Sequence, residues 1–360
     1  MMYTPHIRTT SRHVSPRRAS SAGHATNRNG SVLILAIWVL FFLAALAVAV
    51  GSHVSGLLAT ADYVRVHVTT MAAARAGAML SAQAVAGQTN AWDGVQAESW
   101  THDTRRFEAH RIGECIVDIG YTTMAKNGLS ITNAGLIGEE ARINLNLADT
   151  NVLAAYITLA GGQDERAARA VAGAIADWRD PDDEVLTGGA ESAYYSRVSP
   201  PYQAANAKFG VLEELLLVKG IDERLFDRLA PGLTVHGSGH VNLNAASRIV
   251  LESVGLASAR TVAEEAAAGS LARKIVAFRE AGNVFDERDS AVLRKRLDEA
   301  TPLNSDEQAL FAAMMGKVTI QSTCFRGSAS ARLSPSGAGR GTVEFVFDGA
   351  ERRFVQWQEM

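Results

Sequence analysis

The chain has 360 residues, 47% of them hydrophobic and 20% charged, with a net charge of −3. These proportions are ordinary for globular protein, and a slightly acidic balance gives no ground for a nucleic-acid partner. The length leaves room for a separate apolar segment plus two or three modest domains.

Residues 31–50 pass without a charge, a proline or a glycine. As a helix they would measure about 30 Å, the thickness of a bilayer's hydrocarbon core. Soluble core helices rarely run that far without a polar face. Residues 1–30 hold Arg8, Arg12, Arg17, Arg18 and Arg28 and no acid. Cytoplasmic flanks are rich in Lys and Arg, so the N-terminus is expected inside and everything after residue 50 outside. A cleavable secretory signal competes with this reading, but its apolar run is roughly 7–15 residues. Here residues 44–49 pass into more helix-compatible sequence. The other cut lies before the apolar run, between Gly30 and Ser31. A basic leader ending in Gly and followed at once by a hydrophobic helix resembles the type III signal of prepilins and pseudopilins.

From residue 51 to 86 no proline interrupts, alanine is abundant, and Val54, Leu57, Leu58, Val64, Val68 and Met71 recur at roughly helical spacing. The helix is therefore predicted to continue to residue 86 and pack one face on a domain. Residues 87–104 read as a polar linker. In 114–121, alternation puts Cys115, Val117, Ile119 and Tyr121 on one face of a strand. No strand partner is expected directly after it. The chain reads as helical over roughly 138–312, and strand patterns return with Val318, Ile320 and Cys324 on one face, then 343–347 and 353–357, with Asp348-Gly349 as a turn. The economical fold is α+β: a long N-terminal helix and a small antiparallel sheet, its strands interrupted by a large helical insertion. The domains follow as leader 1–30, membrane helix 31–50, helix continuation 51–86, first αβ part 87–137, insertion 138–312 and closing strands 313–360. An exported chain with two cysteines either pairs them or buries two thiols. The interrupted-sheet layout sets Cys115 and Cys324 at comparable strand positions and favours the pair.

Within the insertion, Ile143-Asn144-Leu145-Asn146 returns 98 residues later as Val241-Asn242-Leu243-Asn244. Each copy stands before a helical run, where Asn is expected to cap free backbone N–H groups. Two similar helical subdomains are predicted. Between the copies, residues 177–191 contain six acids, several in a loop that Pro181 forces out of the preceding helix. Hard oxygen donors at alternate positions suit Ca²⁺, which takes 6–8 oxygen ligands. Asp180, Asp182 and Glu191 are the preferred ligands, with Asp183 a further candidate. The competing view is a solvated acidic loop without metal, with Asp177 as a helix cap.

Residues 214–221, Glu-Leu-Leu-Leu-Val-Lys-Gly-Ile, resemble the hairpin of a helix-hairpin-helix module, which often meets DNA phosphate. A membrane-anchored DNA-uptake protein is the alternative this opens. Over residues 140–299, however, 18 basic side chains stand against 24 acidic ones, so the hairpin reads as structural. His102, His110, His236 and His240 fall in no nucleophile-elbow or metal-protease motif, so no catalysis is expected.

These motifs occur in order: Arg-Asn-Gly before the apolar run, Ile-Asn-Leu-Asn, Asp-Trp-Arg-Asp-Pro-Asp-Asp-Glu, Gly-Ala-Glu with Tyr-Tyr, Glu-Glu-Leu-Leu-Leu-Val-Lys-Gly-Ile and Val-Asn-Leu-Asn. As an ordered set, covering residues 28 to about 251, they resemble the K-type minor pseudopilin of the bacterial type II secretion system. The resemblance implies a pilin-like αβ fold with a helical insertion, bound calcium and a place at the pseudopilus tip. It implies I- and J-type minor pseudopilins, the major pseudopilin, the inner-membrane assembly platform and prepilin peptidase as partners, and no nucleic acid. It places the anchor in the inner membrane, with the C-terminal part in the periplasm. Major pilin-like subunits carry Glu at the fifth mature position; here that residue is Leu35, and the K type also lacks the acid. The thirty-residue leader is long for such a signal.

Overall fold

The computed structural model describes residues 29–86, 93, 104–124 and 130–360. Residues 1–28 of the basic leader, nearly all of the polar linker and His102 lie outside these residues. The first helix, α1, runs Asn29–Ala86, taking in Gly30 and Ser31. The chain divides into two compact units, residues 1–62 and 63–360. In the first unit every described side chain from 31 to 62 is exposed, as an apolar helix made for lipid would be. In the second, α1 buries a small-residue face: Ala74 and Ala78 have no exposed surface. A Cβ at Gly77 would stand 2.7 Å from Val117 Cγ1. Thr70 and Ser81 are buried with their hydroxyls donated back to the carbonyls of Val66 and Gly77, which removes the cost of hiding a polar group.

After a short helix α2 (Thr104–Phe107) come four strands, β1 (His110–Ile112), β2 (Cys115–Met124), β3 (Ser130–Ala134) and β4 (Ile137–Gly138). The sequence reading had none between 121 and the insertion. β3 and β4 are short and polar or glycine-bearing, so their alternation is weak; pairing with β2 and with a later strand holds them.

The helical block follows. It consists of β5 (Ile143–Asn144), α3 (Thr150–Leu159), α4 (Glu165–Arg179), α5 (Ser192–Tyr195), α6 (Glu223–Leu229), β6 (Leu233–Thr234), β7 (Val241–Asn242), α7 (Arg248–Ser258), α8 (Val262–Glu280), α9 (Ser290–Ala300), α10 (Ser305–Met314) and β8 (Val318–Thr319). The chain closes with β9 (Cys324–Leu333), β10 (Gly341–Asp348) and β11 (Arg353–Glu359). The main sheet has the order β1-β2-β9-β10-β11, with β3 on β2 and β4 on β9. All its pairings are antiparallel. Thus β2 and β9 are neighbours in the sheet although the block separates them in sequence. Arg75 ties α1 to the end of β11 through two 2.7 Å bonds to Glu359. β8 does not belong to this sheet: it pairs in parallel with β7, so Val318 and Ile320 close the block and the sheet resumes at Cys324. The insertion therefore reaches beyond residue 312, to about 320.

The cysteine pairing is corrected by the register. Cys115 stands opposite Leu333 on β9, nine positions from Cys324. At about 3.4 Å per residue the two lie about 30 Å apart, far beyond the Cα separation a disulfide spans. Both are free, buried thiols, and burial raises the Cys324 thiol to about 12.

The internal repeat is real, but its asparagines do not cap helices. The N-cap residues of α3 and α7 are Asp149 and Ser247. Asn144 and Asn242 each accept the N–H two residues on. Asn146 accepts from Phe209 N and donates to Phe209 O and Val235 O. Asn244 accepts from Phe285 N and donates to Phe285 O and Ile320 O. Arg179 donates to Leu145 O and Ala148 O; Arg279 donates to Leu243 O and Ala246 O. Each repeat is thus closed by the same Asn-Leu-Asn, Arg and Phe clamp around a short parallel strand pair. They differ in the distance from Arg to Phe, 30 positions in the first and 6 in the second.

Candidate metal centre

The longer Arg-to-Phe segment carries the acidic cluster. Helix α4 is capped by Asp164, whose side chain accepts from Ala167 N, and ends at Arg179 before Asp180-Pro181. Asp177 and Asp180, three apart, share the face turned toward the following loop. Glycines let that loop close on the helix: Gly188 has φ +82°, and a Cβ on Gly189 would stand 2.0 Å from Asp177 Oδ2. Any side chain there would push the carboxylate away. The Leu186 amide donates to Asp177 at 3.2 Å. Lys219 holds the loop from the hairpin side, donating to the carbonyls of Gly188 (3.2 Å) and Gly189 (2.9 Å). Its ammonium also lies 5.0 Å from the Tyr194 ring centre.

One carboxylate oxygen each from Asp177, Asp180 and Glu191 lie within 4.8 Å of one another. Asp177 is fully buried and Glu191 is 2% exposed. Both Glu191 oxygens and Asp180 Oδ1 are buried with no hydrogen-bond partner. Beneath them sit Trp178, Tyr195, Tyr202 and Phe209, with Trp178 and Tyr195 edge-to-face at 5.1 Å. Burial, with Asp177 next, pushes Glu191 up to about 7. Burial is also the leading cause raising Asp177 and Asp180.

Three converging carboxylates with orphaned oxygens are costly without a counter-charge. Two oxygens that touch one Ca²⁺ at 2.3–2.6 Å lie up to about 5 Å apart, so one ion reaches all three. The set is all oxygen, with neither His nor Cys, which suits a hard divalent cation. The residues present fit calcium.

Of the ligands expected from sequence, the structure brings Asp180 and Glu191 together and leaves Asp182 and Asp183 outside the cluster. Asp182 Oδ1 accepts the Glu184 N–H, and Asp183 Oδ1 lies 3.4 Å from Asn206 Nδ2. Asp177, a helix cap in the metal-free view, joins the cluster instead. The signal for it was its i,i+3 spacing from Asp180 at the end of one helix. Asn206 was also missed: its Nδ2 donates to Asp182 O while its Oδ1 is buried without a partner. The hairpin is a 3₁₀ turn (Leu212–Leu217) leading through Gly220 at φ +86° into α6. His236 lies 3.2 Å from Gln356, away from the acidic cluster.

The whole is an α+β protein with a long apolar N-terminal helix, an antiparallel sheet and a two-repeat helical insertion bearing an acidic, metal-competent loop. A sequence profile of the family "Type II secretion system (T2SS), protein K" matches residues 141–238, the first repeat. Type II secretion system protein K of Aeromonas hydrophila is 37% identical over 100 residues, 25% of this chain and 30% of that one. A putative type II secretion system protein K of Escherichia coli K12 is 36% identical over 70 residues, 19% and 21% of the two chains. The chain thus aligns with less than a third of the length of either relative. A chain in the crystal structure of the GspK-GspI-GspJ complex from enterotoxigenic Escherichia coli aligns with TM-score 0.55 and 15% identity. It covers 81% of this chain and 96% of that one; the likeness is one of fold. The K-type resemblance read from the ordered motifs is borne out over residues 141–238, the stretch that holds Asp177, Asp180 and Glu191.

Proposed function

We propose that this protein is a minor pseudopilin of the K type, at the tip of the type II secretion pseudopilus. There it helps initiate and cap assembly for protein export across the outer membrane. The observation that carries this reading is the protein K match over residues 141–238, in a chain whose 56-residue stretch 31–86 forms one helix apolar enough at its start to cross a membrane. The similar chain in the solved structure is described in a GspK-GspI-GspJ complex; by analogy the I- and J-type minor pseudopilins are this protein's partners. The major pseudopilin, the assembly platform and prepilin peptidase complete the set. The arginine-rich leader argues for a single-pass inner-membrane anchor, N-terminus in the cytoplasm and the rest in the periplasm.

In this reading the protein works by assembly, not catalysis. Helix α1 packs laterally among neighbouring subunits, and the helical block obstructs addition above it. Asp177, Asp180 and Glu191 would hold calcium. The ion would neutralise three carboxylates and fix the loop on α4. A DNA-uptake role finds no support: Lys219, the hairpin cation, is engaged with two carbonyls and the Tyr194 ring.

Mass spectrometry of the mature protein tests the proposal. A chain beginning at N-methyl-Ser31 is expected; one that keeps residues 1–30 in the assembled system would overturn it.

A further inference from the structure

Three stretches cross between the helical block and the sheet or between the repeats: residues 138–143 outward, 235–240 between β6 and β7, and 320–324 back. One buried carboxylate meets all three. Glu140, 2% exposed, sits on the outward crossing. Its Oε1 accepts from Ser238 N (3.0 Å) on the inter-repeat link. The same oxygen accepts from Thr323 N (3.0 Å) and Thr323 Oγ1 (2.5 Å) on the return. Gly237, at φ +91°, lets the link approach; a Cβ there would stand 2.9 Å from Glu140 Oε1.

Two further carboxylates reinforce the joint. Asp93, 5% exposed, accepts from Asn242 Nδ2 at 2.8 Å and from Ser322 N, while its own N–H donates to Ile320 O. Glu139, 1% exposed, lies 3.3 Å from Arg326 on β9 and accepts from the Thr234 hydroxyl on β6. A buried carboxylate pulled from its donors is left uncompensated in a low-dielectric site, so such a joint resists bending.

We propose that Glu140 is a positioning residue that locks the helical block and the sheet into one rigid body, with Asp93 as a second fastening. Its consequence is that the sheet presents the block to the assembly in one fixed attitude. That consequence rests on the K-type reading; the lock itself does not.

Pulsed electron-paramagnetic-resonance distances on the full chain in detergent test it, with spin labels at Val262→Cys and Glu344→Cys. Val262 on α8 is 81% exposed, Glu344 on β10 is exposed, and the natural thiols are buried. The parent protein is expected to give one narrow distance distribution. Glu140→Ala should at least double its width with unchanged far-ultraviolet circular dichroism. An unchanged width, with only a lower melting temperature, would make Glu140 a plain contributor to stability and overturn the lock. Should the alanine variant fail to fold, Glu140→Gln, of the same shape without the charge, carries the same two outcomes. Broadened distances with normal secretion would keep the lock and remove its consequence for assembly.

Discussion

Glu191 sits where burial and four neighbouring carboxylates, Asp177 foremost, make its charged form expensive. Its pKa of about 7 lies above the ordinary 4.5, so without metal it folds most comfortably protonated. The stabilising contribution of that proton is fully present below pH 4.5 and is lost as pH rises through about 7. A divalent ion reverses this, because it binds only the ionised form and gains as the proton leaves. Differential scanning fluorimetry should therefore show metal-free stability falling between pH 5 and 8. Calcium at a hundredfold excess over Kd should restore about 2.7 kcal/mol at pH 8 and much less at pH 5. Glu191→Gln should flatten the metal-free decline and weaken calcium binding at least tenfold. A calcium gain that is the same at both pH values would remove Glu191 from the ligand set. The acidic run was plain in the sequence, yet acidity alone does not say which carboxylates face inward. Asp180 and Glu191 were legible, but Asp182 looked as good, and Asp177 entered only as the helix cap of the metal-free view, a place Asp often takes.

At the scale of elements, the two repeats use one closure. Arg179 and Arg279 each reach back from the end of a helix to two carbonyls that follow an Asn-Leu-Asn. Burial lowers both guanidiniums, Arg279 to about 10, with Asp180 and Glu280 acting in the opposite direction. Hydrogen bonds to two carbonyls each offset part of that burial. Arg179→Ala and Arg279→Ala should thus each cost about 3 kcal/mol, the worth of losing two bonds to a charged donor. Urea unfolding checks this, and a cost under about 1 kcal/mol at either site would mean that water replaces the guanidinium there. The duplication could be read from the sequence because Asn-Leu-Asn recurs, but the function of Asn could not. Its partners, Phe209 and Phe285, lie 63 and 41 residues away, and no local pattern announces such bonds. The two-residue strands β5, β6 and β7 escaped for the same reason, being too short for periodicity to register, whereas β8 falls where a strand was expected but pairs with β7. The cysteine pair failed on register: knowing that two strands are neighbours does not say which residues stand opposite.

For the whole molecule, the fold joins two cores that share no residue. One holds the sheet and residues 71–85 of α1, from Met71 to Phe347; the other holds the helical block, from Ile143 to Ile320. The block leaves the sheet after β4 and re-enters at β9, and those strands pair directly, Gly138 opposite Phe325. The ends of the block therefore meet where a hairpin turn could stand. Replacing residues 139–323 by a short Asn-Gly turn should leave β4 and β9 paired and the remaining αβ unit folded. It should also leave the apolar segment 31–50 able to insert. On the proposed function, the shortened subunit would still enter the inner membrane and nucleate a pseudopilus but no longer obstruct growth above it. Membrane fractionation should then recover it from the inner membrane, and electron microscopy should show pseudopili longer than those of the parent strain. Unchanged lengths, with the shortened protein folded and incorporated, would mean that the block does not cap. Its bulk would then have to serve contact with other proteins instead.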